Sequence, residues 1–205
     1  MNTAVARKTR ARQSREQSRA RIIAAAAALV RDRSFAELSV GEVMDMAGIG
    51  RTLFYRHFDD LGDLLLKASR EAIEELYVAE VGLASGGALS AEDTVLAAIE
   101  PAVAAYSRHG PLLRALSEAA TSDPEIAAAQ ETIRHRFDEL VADSLAAIPA
   151  LSARPRAEIE DTARALNLLN TSYLLDAFGH EPRVAVETAV RTLSEIWLGV
   201  AKRGS

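Results

Sequence analysis

Ser39-Val-Gly-Glu-Val-Met-Asp-Met-Ala-Gly-Ile-Gly-Arg-Thr-Leu-Phe-Tyr-Arg-His-Phe58 is the stretch whose reading decides the fold. Its first four residues form a capping box: the Ser39 oxygen can accept from the amide three residues on, and Glu42 reaches back. A short helix should follow to about Ala47, where Gly48 breaks it. A second short helix should span about Arg51 to His57. Two short helices around Gly48-Ile49 have the proportions of a helix-turn-helix. In such a unit the first helix braces, and the N-terminal end of the second enters the major groove of DNA. Arg51 and Thr52 then sit at the groove-facing end, where arginine can donate two bonds to guanine or pair with phosphate. Helix pairs with a glycine turn are common, so this spacing alone does not establish DNA binding.

Outward from this stretch, almost every segment reads as helix. Upstream, residues 1–16 read as a disordered basic arm. A helix is expected from about Gln17 to Arg33, with Ile22, Ile23, Ala26, Leu29 and Val30 on one side. Downstream, Asp60 can cap a longer helix carrying Leu61, Leu64, Leu65, Ala68, Ala72 and Leu76. Gly82 to Gly87 reads as a loop. Ser90 opens a helix to about Arg108, and Pro111 starts a short one. Asp123-Pro124 is a cap followed by proline at the first helical position, and that helix can reach Ile148. Another runs to Phe178, where Gly179 can supply a left-handed cap, and the last spans about Pro182 to Ala201. No strand-period segment stands out. The expectation is an all-α protein of about nine helices: an arm (1–16), a three-helix DNA-binding domain (17–62) and a larger helical regulatory and dimerisation domain (63–205).

Charge divides the chain in the same way. Residues 1–67 hold twelve Lys/Arg against eight Asp/Glu, and residues 68–205 hold twelve against twenty-one. A basic arm beside a basic small domain suits a polyanion. Cysteine is absent, which removes disulfides, thiol catalysis and thiolate metal sites. The longest apolar stretch, Ile22 to Val30, is far short of the roughly 20 residues that cross a bilayer, so a soluble, cytoplasmic protein is expected. His57, His109, His135 and His180 fall in no metal-binding spacing, and no phosphate loop or nucleophile elbow occurs. No enzyme, cofactor or metal is expected. Arg134-His135-Arg136 reads as a solvated helix face.

One helix of the second domain is unusual. Ala165-Leu-Asn-Leu-Leu-Asn-Thr-Ser-Tyr-Leu-Leu-Asp-Ala-Phe178 is apolar on most sides, which implies burial between helices. Asn167 and Asn170 are three apart and share a face. An amide buried without a partner costs about 1–3 kcal/mol, so a neighbouring helix, water or a ligand should bond each of them.

The stretch from Ser39 to Phe58 resembles the TetR-family motif, with its upstream aliphatic helix, Phe35 before Leu38-Ser39-Val40, and the closing Phe54-Tyr55-Arg56-His57-Phe58. The resemblance covers about residues 17–67. It implies that Tyr55 and His57 touch phosphates, that Arg51 and Thr52 lie near bases or backbone, and that Phe54 and Phe58 are core aromatics. The full DNA-facing set it suggests is Ser39, Val40, Gly50, Arg51, Thr52, Tyr55 and His57, with Lys8, Arg10 and Arg12 from the arm. The chain departs from the family in having Gly50 where serine is frequent, Leu53 where threonine is usual, and Leu61 where a phosphate-binding lysine usually stands. The basic arm can compensate for that lysine by following the minor groove or backbone.

The second domain resembles the EthR branch of that family, in which an apolar tunnel runs through the regulatory bundle. The resemblance implies that Asn167 and Asn170 are its polar contacts and that Trp197, Tyr106 and Phe178 line it, with Leu166 and Ala102 alongside. Asp176 stands where the branch has a small residue. The implied function is a ligand-responsive transcriptional regulator. In this reading a homodimeric repressor is released from a palindromic duplex operator by a small, mostly apolar ligand with a polar acceptor group. Thr162, Ala165, Leu169, Ala189, Leu193 and Ile196 lie at intervals suited to a dimer seam on the last two helices. Coupling between domains would run through the helix near Leu64 to Val81. An activator, a regulator controlled by a protein partner, and a helical interaction protein are the alternatives.

Overall fold

The computed structural model describes residues 3–84, 90–181 and 183–202; for residues 3–11, 78–84, 91 and 94 the description is of the backbone. Seven α-helices are present among these residues: α1 (Thr3–Leu29), α2 (Val40–Ala47), α3 (Leu61–Ala84), α4 (Ala91–Ala119), α5 (Pro124–Ala146), α6 (Arg156–Phe178) and α7 (Val186–Lys202). Two 3-10 helices, Phe35–Glu37 and Arg51–Arg56, complete the set, and no strand occurs among the described residues.

Three hydrophobic clusters organise the fold. The first packs Ile22, Ala25 and Ala26 of α1 against Val43, Met44 and Ala47 of α2, together with Phe54, Phe58 and Leu64. The largest lies among α4, α5, α6 and α7 and includes Ile99, Val103, Val141, Leu145, Leu174, Leu193 and Trp197. Between them sits a third, where Val30, Leu38, Leu65 and Ala68 meet Leu112, Ala115, Leu116 and Ala119 of α4 and Ile126 of α5. The boundary expected at residue 62 therefore falls within the first turn of α3. That helix gives Leu64 to the first cluster, Leu65 and Ala68 to the middle one and Ala72 to the largest. The expected apolar period of α3 is what lets one helix serve all three.

Four local expectations change. The segment expected to be a disordered arm is the first half of α1, which begins at Thr3. Thr3 to Leu29 contains no Gly or Pro, is rich in the strong helix formers Ala and Arg, and carries an Arg12–Glu16 ion pair of 2.9 Å one turn apart. Helix α4 runs unbroken through Pro101 and Pro111. The break expected near Gly110-Pro111 is instead a crossing point: a Cβ on Gly110 would lie 2.1 Å from the Phe178 carbonyl oxygen of α6. Gly179 is not left-handed, having φ −69°; a Cβ there would lie 2.4 Å from the Leu175 oxygen. Gly82 continues α3, and of the loop expected at 82–87 residues 85–87 lie outside the described residues.

Candidate nucleic-acid interface and regulatory cavity

The capping box at the head of α2 is complete. Ser39 Oγ accepts from the Glu42 amide at 3.3 Å, and Glu42 Oε2 accepts from the Ser39 amide at 3.0 Å. Arg33 then grips Glu42 at 2.7 Å and the Glu37 carbonyl at 2.7 Å. The Ser39 hydroxyl and the Arg33 guanidinium together lower the Glu42 carboxyl to about 2. At the other end of α2, Gly48 is left-handed with φ 62°, the one positive φ among the described residues. Arg21 of α1 donates to the Ala47 carbonyl there at 2.6 Å, placing positive charge where a helix end favours it.

The second helix of the motif is anchored by its aromatics. Phe54 and Phe58 are fully buried with ring centroids 5.5 Å apart. That anchoring turns Arg51, Thr52, Tyr55 and Arg56 outward, with Tyr55 67% exposed. The Arg51 guanidinium lies over Gly41, where an added Cβ would come 2.6 Å from Nη2, and 3.8 Å from Asp45. His57 faces α1, its Nε2 3.0 Å from Ser18 Oγ. Burial first, and then Arg15, Arg19 and Arg56, lower its pKa.

In the larger domain a cavity of about 330 Å³ opens between α3, α4, α5 and α6. Its apolar wall includes Ile73, Leu76, Leu113, Leu116, Phe137 and Leu174, and its polar wall includes Asn167, Asn170, Thr171, Gln130, Glu131 and Arg134. Such a volume is at the small end of those that hold organic ligands. Both asparagines are bonded to neighbouring helices: Asn167 Nδ2 donates to Asp138 of α5 at 2.9 Å, and Asn170 Oδ1 accepts from Trp197 Nε1 of α7 at 3.1 Å. Arg134 pairs with Glu131 and, at 2.6 Å, with Asp138.

Residues 22–68 match the family model for bacterial regulatory proteins of the tetR family, and residues 95–201 match that for the C-terminal domain of the transcriptional regulator EthR. The HTH-type transcriptional regulator EthR of Mycolicibacterium smegmatis is 30% identical over 197 residues, spanning 92% of this chain and 88% of that protein. The chain belongs to the TetR family. EthR of Mycobacterium tuberculosis is 28% identical over 191 residues, with the same coverage of 92% and 88%. Two solved structures share the fold. A putative transcriptional regulator from Pseudomonas aeruginosa PAO1 has a TM-score of 0.73 at 18% identity, covering 93% of this chain and 95% of that one. The TetR-family regulator PfmR from Thermus thermophilus has a TM-score of 0.72 at 17% identity, covering 87% and 97%. The chain is thus a DNA-binding transcriptional regulator rather than an enzyme.

Within this TetR-family frame, the residues singled out from sequence separate into groups. Arg51, Thr52 and Tyr55 share one exposed face with Arg56, and Gly50 stands open at its head, with nothing within 4 Å of where its Cβ would be. Ser39 is occupied by capping, and Val40 packs against the first core cluster. Arg12 is exposed on α1; the side chains of Lys8 and Arg10 lie outside the described residues. In the cavity, Asn167, Asn170, Tyr106 and Ala102 are wall residues, whereas Trp197, Phe178 and Leu166 are not. Those three are buried in the main core. Trp197 is tied to Asn170, and Phe178 sits at the Gly110 crossing. Asp176 is turned outward and pairs with Arg183 at 3.0 Å.

Two residues escaped the sequence reading. Arg134 faces the cavity, so the run Arg134-His135-Arg136 is not a uniformly solvated face; Arg136 stacks 3.6 Å over the Tyr77 ring. Arg114 of α4, 8% exposed, ties three helices. Its Nη2 donates to the Val30 carbonyl at 2.6 Å and to that of Arg33 at 3.3 Å, its Nε donates to the Gly179 carbonyl at 2.9 Å, and its Nη1 pairs with Glu118. Glu118 in turn accepts from Ser34 at 3.1 Å. Nothing in local sequence marks Arg114, because all its carbonyl partners are 65 or more residues away, or 81 and 84 for those at the end of α1.

Proposed function

We propose that this regulator is a homodimeric repressor that leaves a two-fold operator when a small, mostly apolar molecule fills the cavity beside Asn167 and Asn170. The observation that carries this reading is shared machinery. Helices α3 and α4 supply cavity residues Ile73, Leu76, Leu113 and Leu116, and the same helices supply the middle cluster and Arg114, on which the DNA-binding unit rests. A ligand that displaces α3 or α4 must therefore shift the helix-turn-helix. It acts as an inducer only if it favours the conformation whose recognition helices are misplaced for the operator. Arg51, Thr52 and Tyr55 are the proposed DNA contacts, with Arg56 of the same face a fourth. His57 would meet phosphate at the margin of that face.

Exposed large apolar side chains support the dimer. They are Leu168 and Leu169 of α6 and Val186 and Ile196 of α7. Of the seam suggested by sequence, Ala189 and Leu193 are fully buried within the protomer, so the partner-facing set is Thr162, Ala165, Leu169 and Ile196. Helix α7 keeps Leu193 for its own core because its inward face, which also carries Ala189 and Trp197, packs on α4.

Selection from randomised duplexes should recover a palindrome whose half-sites lie about one helical turn or slightly more apart. Sedimentation at micromolar concentration should give a dimer. Recovery of no enriched site, or a monomer, overturns the respective part of the proposal. Among the described residues no helix is long and apolar enough to cross a membrane, and a cytoplasmic location is part of the same proposal.

A further inference from the structure

Away from the DNA face and the effector cavity, a groove of about 570 Å³ runs between the first third of α4 and α7. Its floor is apolar, with Leu96, Val190 and Leu198 half-buried in it. Ser194 lies in the same floor, one helical turn from Val190 and one from Leu198. It is 5% exposed, and its Oγ is shielded from water without a hydrogen-bond partner. A hydroxyl buried in this way is uncommon, because it loses its bonds to water without replacing them. The other such hydroxyl among the described residues, Ser69, lines neither cavity. The rim of the groove is acidic. Glu92 and Glu100 of α4 and Glu187 and Glu195 of α7 are exposed around the floor, and none has an ion-pair or hydrogen-bond partner among the described residues. Arg191, four residues from both Glu187 and Glu195, can offset one of these four charges. Among the described residues no three acidic side chains converge closely enough to hold a metal ion. The charge is instead spread along an apolar channel, which suits an organic cation with an apolar chain.

We propose that this groove is a second small-molecule site, and that its ligands are linear alkylammonium ions. The ammonium N–H groups donate to Ser194 Oγ and to the rim carboxylates, and the alkyl chain covers Leu96, Val190 and Leu198. An ammonium carries donors only, so it matches a site whose polar groups, Arg191 aside, can all accept. A carboxylate of the same length meets four like charges, and an alcohol leaves those charges without a counter-ion. The groove shares no residue with the effector cavity. It is also clear of the dimer seam proposed on α7. Ser194 and Ile196, two residues apart, point about 200° away from each other around the helix.

The test is titration calorimetry on the full-length protein at neutral pH and about 0.15 M salt, with hexylammonium chloride, hexan-1-ol and sodium hexanoate. Hexylammonium should bind one per protomer. Hexan-1-ol should bind at least about tenfold more weakly, and hexanoate should not bind measurably. Ser194→Ala separates a built site from a general attraction of cations to surface carboxylates. It keeps every rim charge, so general attraction predicts an unchanged affinity, whereas loss of the buried acceptor should weaken hexylammonium about tenfold. Because the hydroxyl has no partner within the protein, the same change should leave the melting temperature unchanged or raise it. Glu100→Gln combined with Glu195→Gln should also weaken hexylammonium about tenfold and leave hexan-1-ol unaffected. Equal affinities for hexylammonium and hexan-1-ol, or no hexylammonium binding at millimolar concentration, overturn the proposal. So does an undiminished affinity in Ser194→Ala or in the double variant. A fall in the melting temperature of Ser194→Ala, which would mark the hydroxyl as structural, overturns it as well. None of these outcomes alters the reading of the effector cavity or of the DNA face.

Discussion

Arg51 rests against its own protein, over Gly41 and near Asp45. An exposed pair at 3.8 Å is worth little, so the side chain is free to exchange it for DNA. Arg51→Ala should weaken operator binding by about 1–3 kcal/mol if the arginine reads a base edge. If it meets phosphate instead, the loss should be uniform across sequences, and the salt slope should fall by about one. Tyr55→Phe should cost about tenfold in operator affinity. Neither change should move the melting temperature, since both side chains project into solvent. Fluorescence anisotropy at two salt concentrations, beside a thermal melt, checks all of this. His57 has the opposite character. Burial and three arginines favour its neutral form, so any stability it confers is complete above the ordinary imidazole range and lost as pH falls through its lowered pKa. DNA phosphates facing Arg15, Arg19 and Arg56 would reverse that bias, so operator binding should take up a proton. Affinity should rise as pH falls from about 8 to about 6, and His57→Gln should flatten the profile; a profile unchanged by the substitution removes His57 from the interface.

At the scale of elements, α2 owes its start to a few side chains. Ser39→Ala removes the cap and should cost about 1 kcal/mol, a drop of roughly 2–4 °C in melting temperature for a chain of this size. With its carboxyl held at about 2, Glu42 contributes fully above the ordinary carboxylate range near pH 4.5, and that contribution fades only as pH falls through about 2. Acid unfolding followed by circular dichroism should therefore begin at higher pH in Glu42→Gln. Gly110→Ala should be far more damaging than an average glycine-to-alanine change in a helix, because the added carbon meets backbone at 2.1 Å rather than a side chain that can move; a loss of about 1–3 kcal/mol is expected from the forced separation of α4 and α6. These two sites show what was legible in the sequence. The Ser39 box, the Gly48 turn and the Asp123-Pro124 cap are made by residues within a few positions of one another, and the structure has all three. Gly110 and Gly179 also read as local punctuation, yet each is a glycine because a carbonyl or a neighbouring helix passes too close for a side chain. Arg134 shows the same limit. It sits in the charged run Arg134-His135-Arg136, and only the packing of the helices around α5 turns it toward the cavity. Asn167 and Asn170 were legible as a pair needing partners, whereas Asp138 and Trp197 as those partners depended on how three helices meet.

For the whole molecule the decisive question is how a cavity in one unit alters a DNA-binding face in the other. The sequence assigns that coupling to α3, which does supply both cavity wall and DNA-unit core through Ile73, Leu76 and Leu64. Arg114 adds a second connection of different kind, since one guanidinium holds the carbonyl ends of α1 and α6 together. Its neighbours Leu113 and Leu116 line the cavity, so a displacement of α4 by a ligand strains hydrogen bonds to Val30 and Arg33 directly. Arg114→Met keeps most of the side-chain volume and removes those bonds. Glu118 is partly exposed and can turn to water, so if one or two of the carbonyls stay buried without a partner, at about 1–3 kcal/mol each, the melting temperature should fall by roughly 2–4 °C for each kcal/mol lost. The informative measurement is the coupling itself. Any factor by which ligand weakens operator binding must equal the factor by which operator weakens ligand binding, so titrations in both directions report one quantity. In the unaltered protein a factor of roughly 5–150 is typical of allosteric proteins. In Arg114→Met that factor should move toward one while ligand affinity in the absence of DNA stays close to its original value. A variant that binds both partners and keeps the full factor would assign the coupling to α3 alone, with Arg114 left as a fastening between two units that communicate by another path.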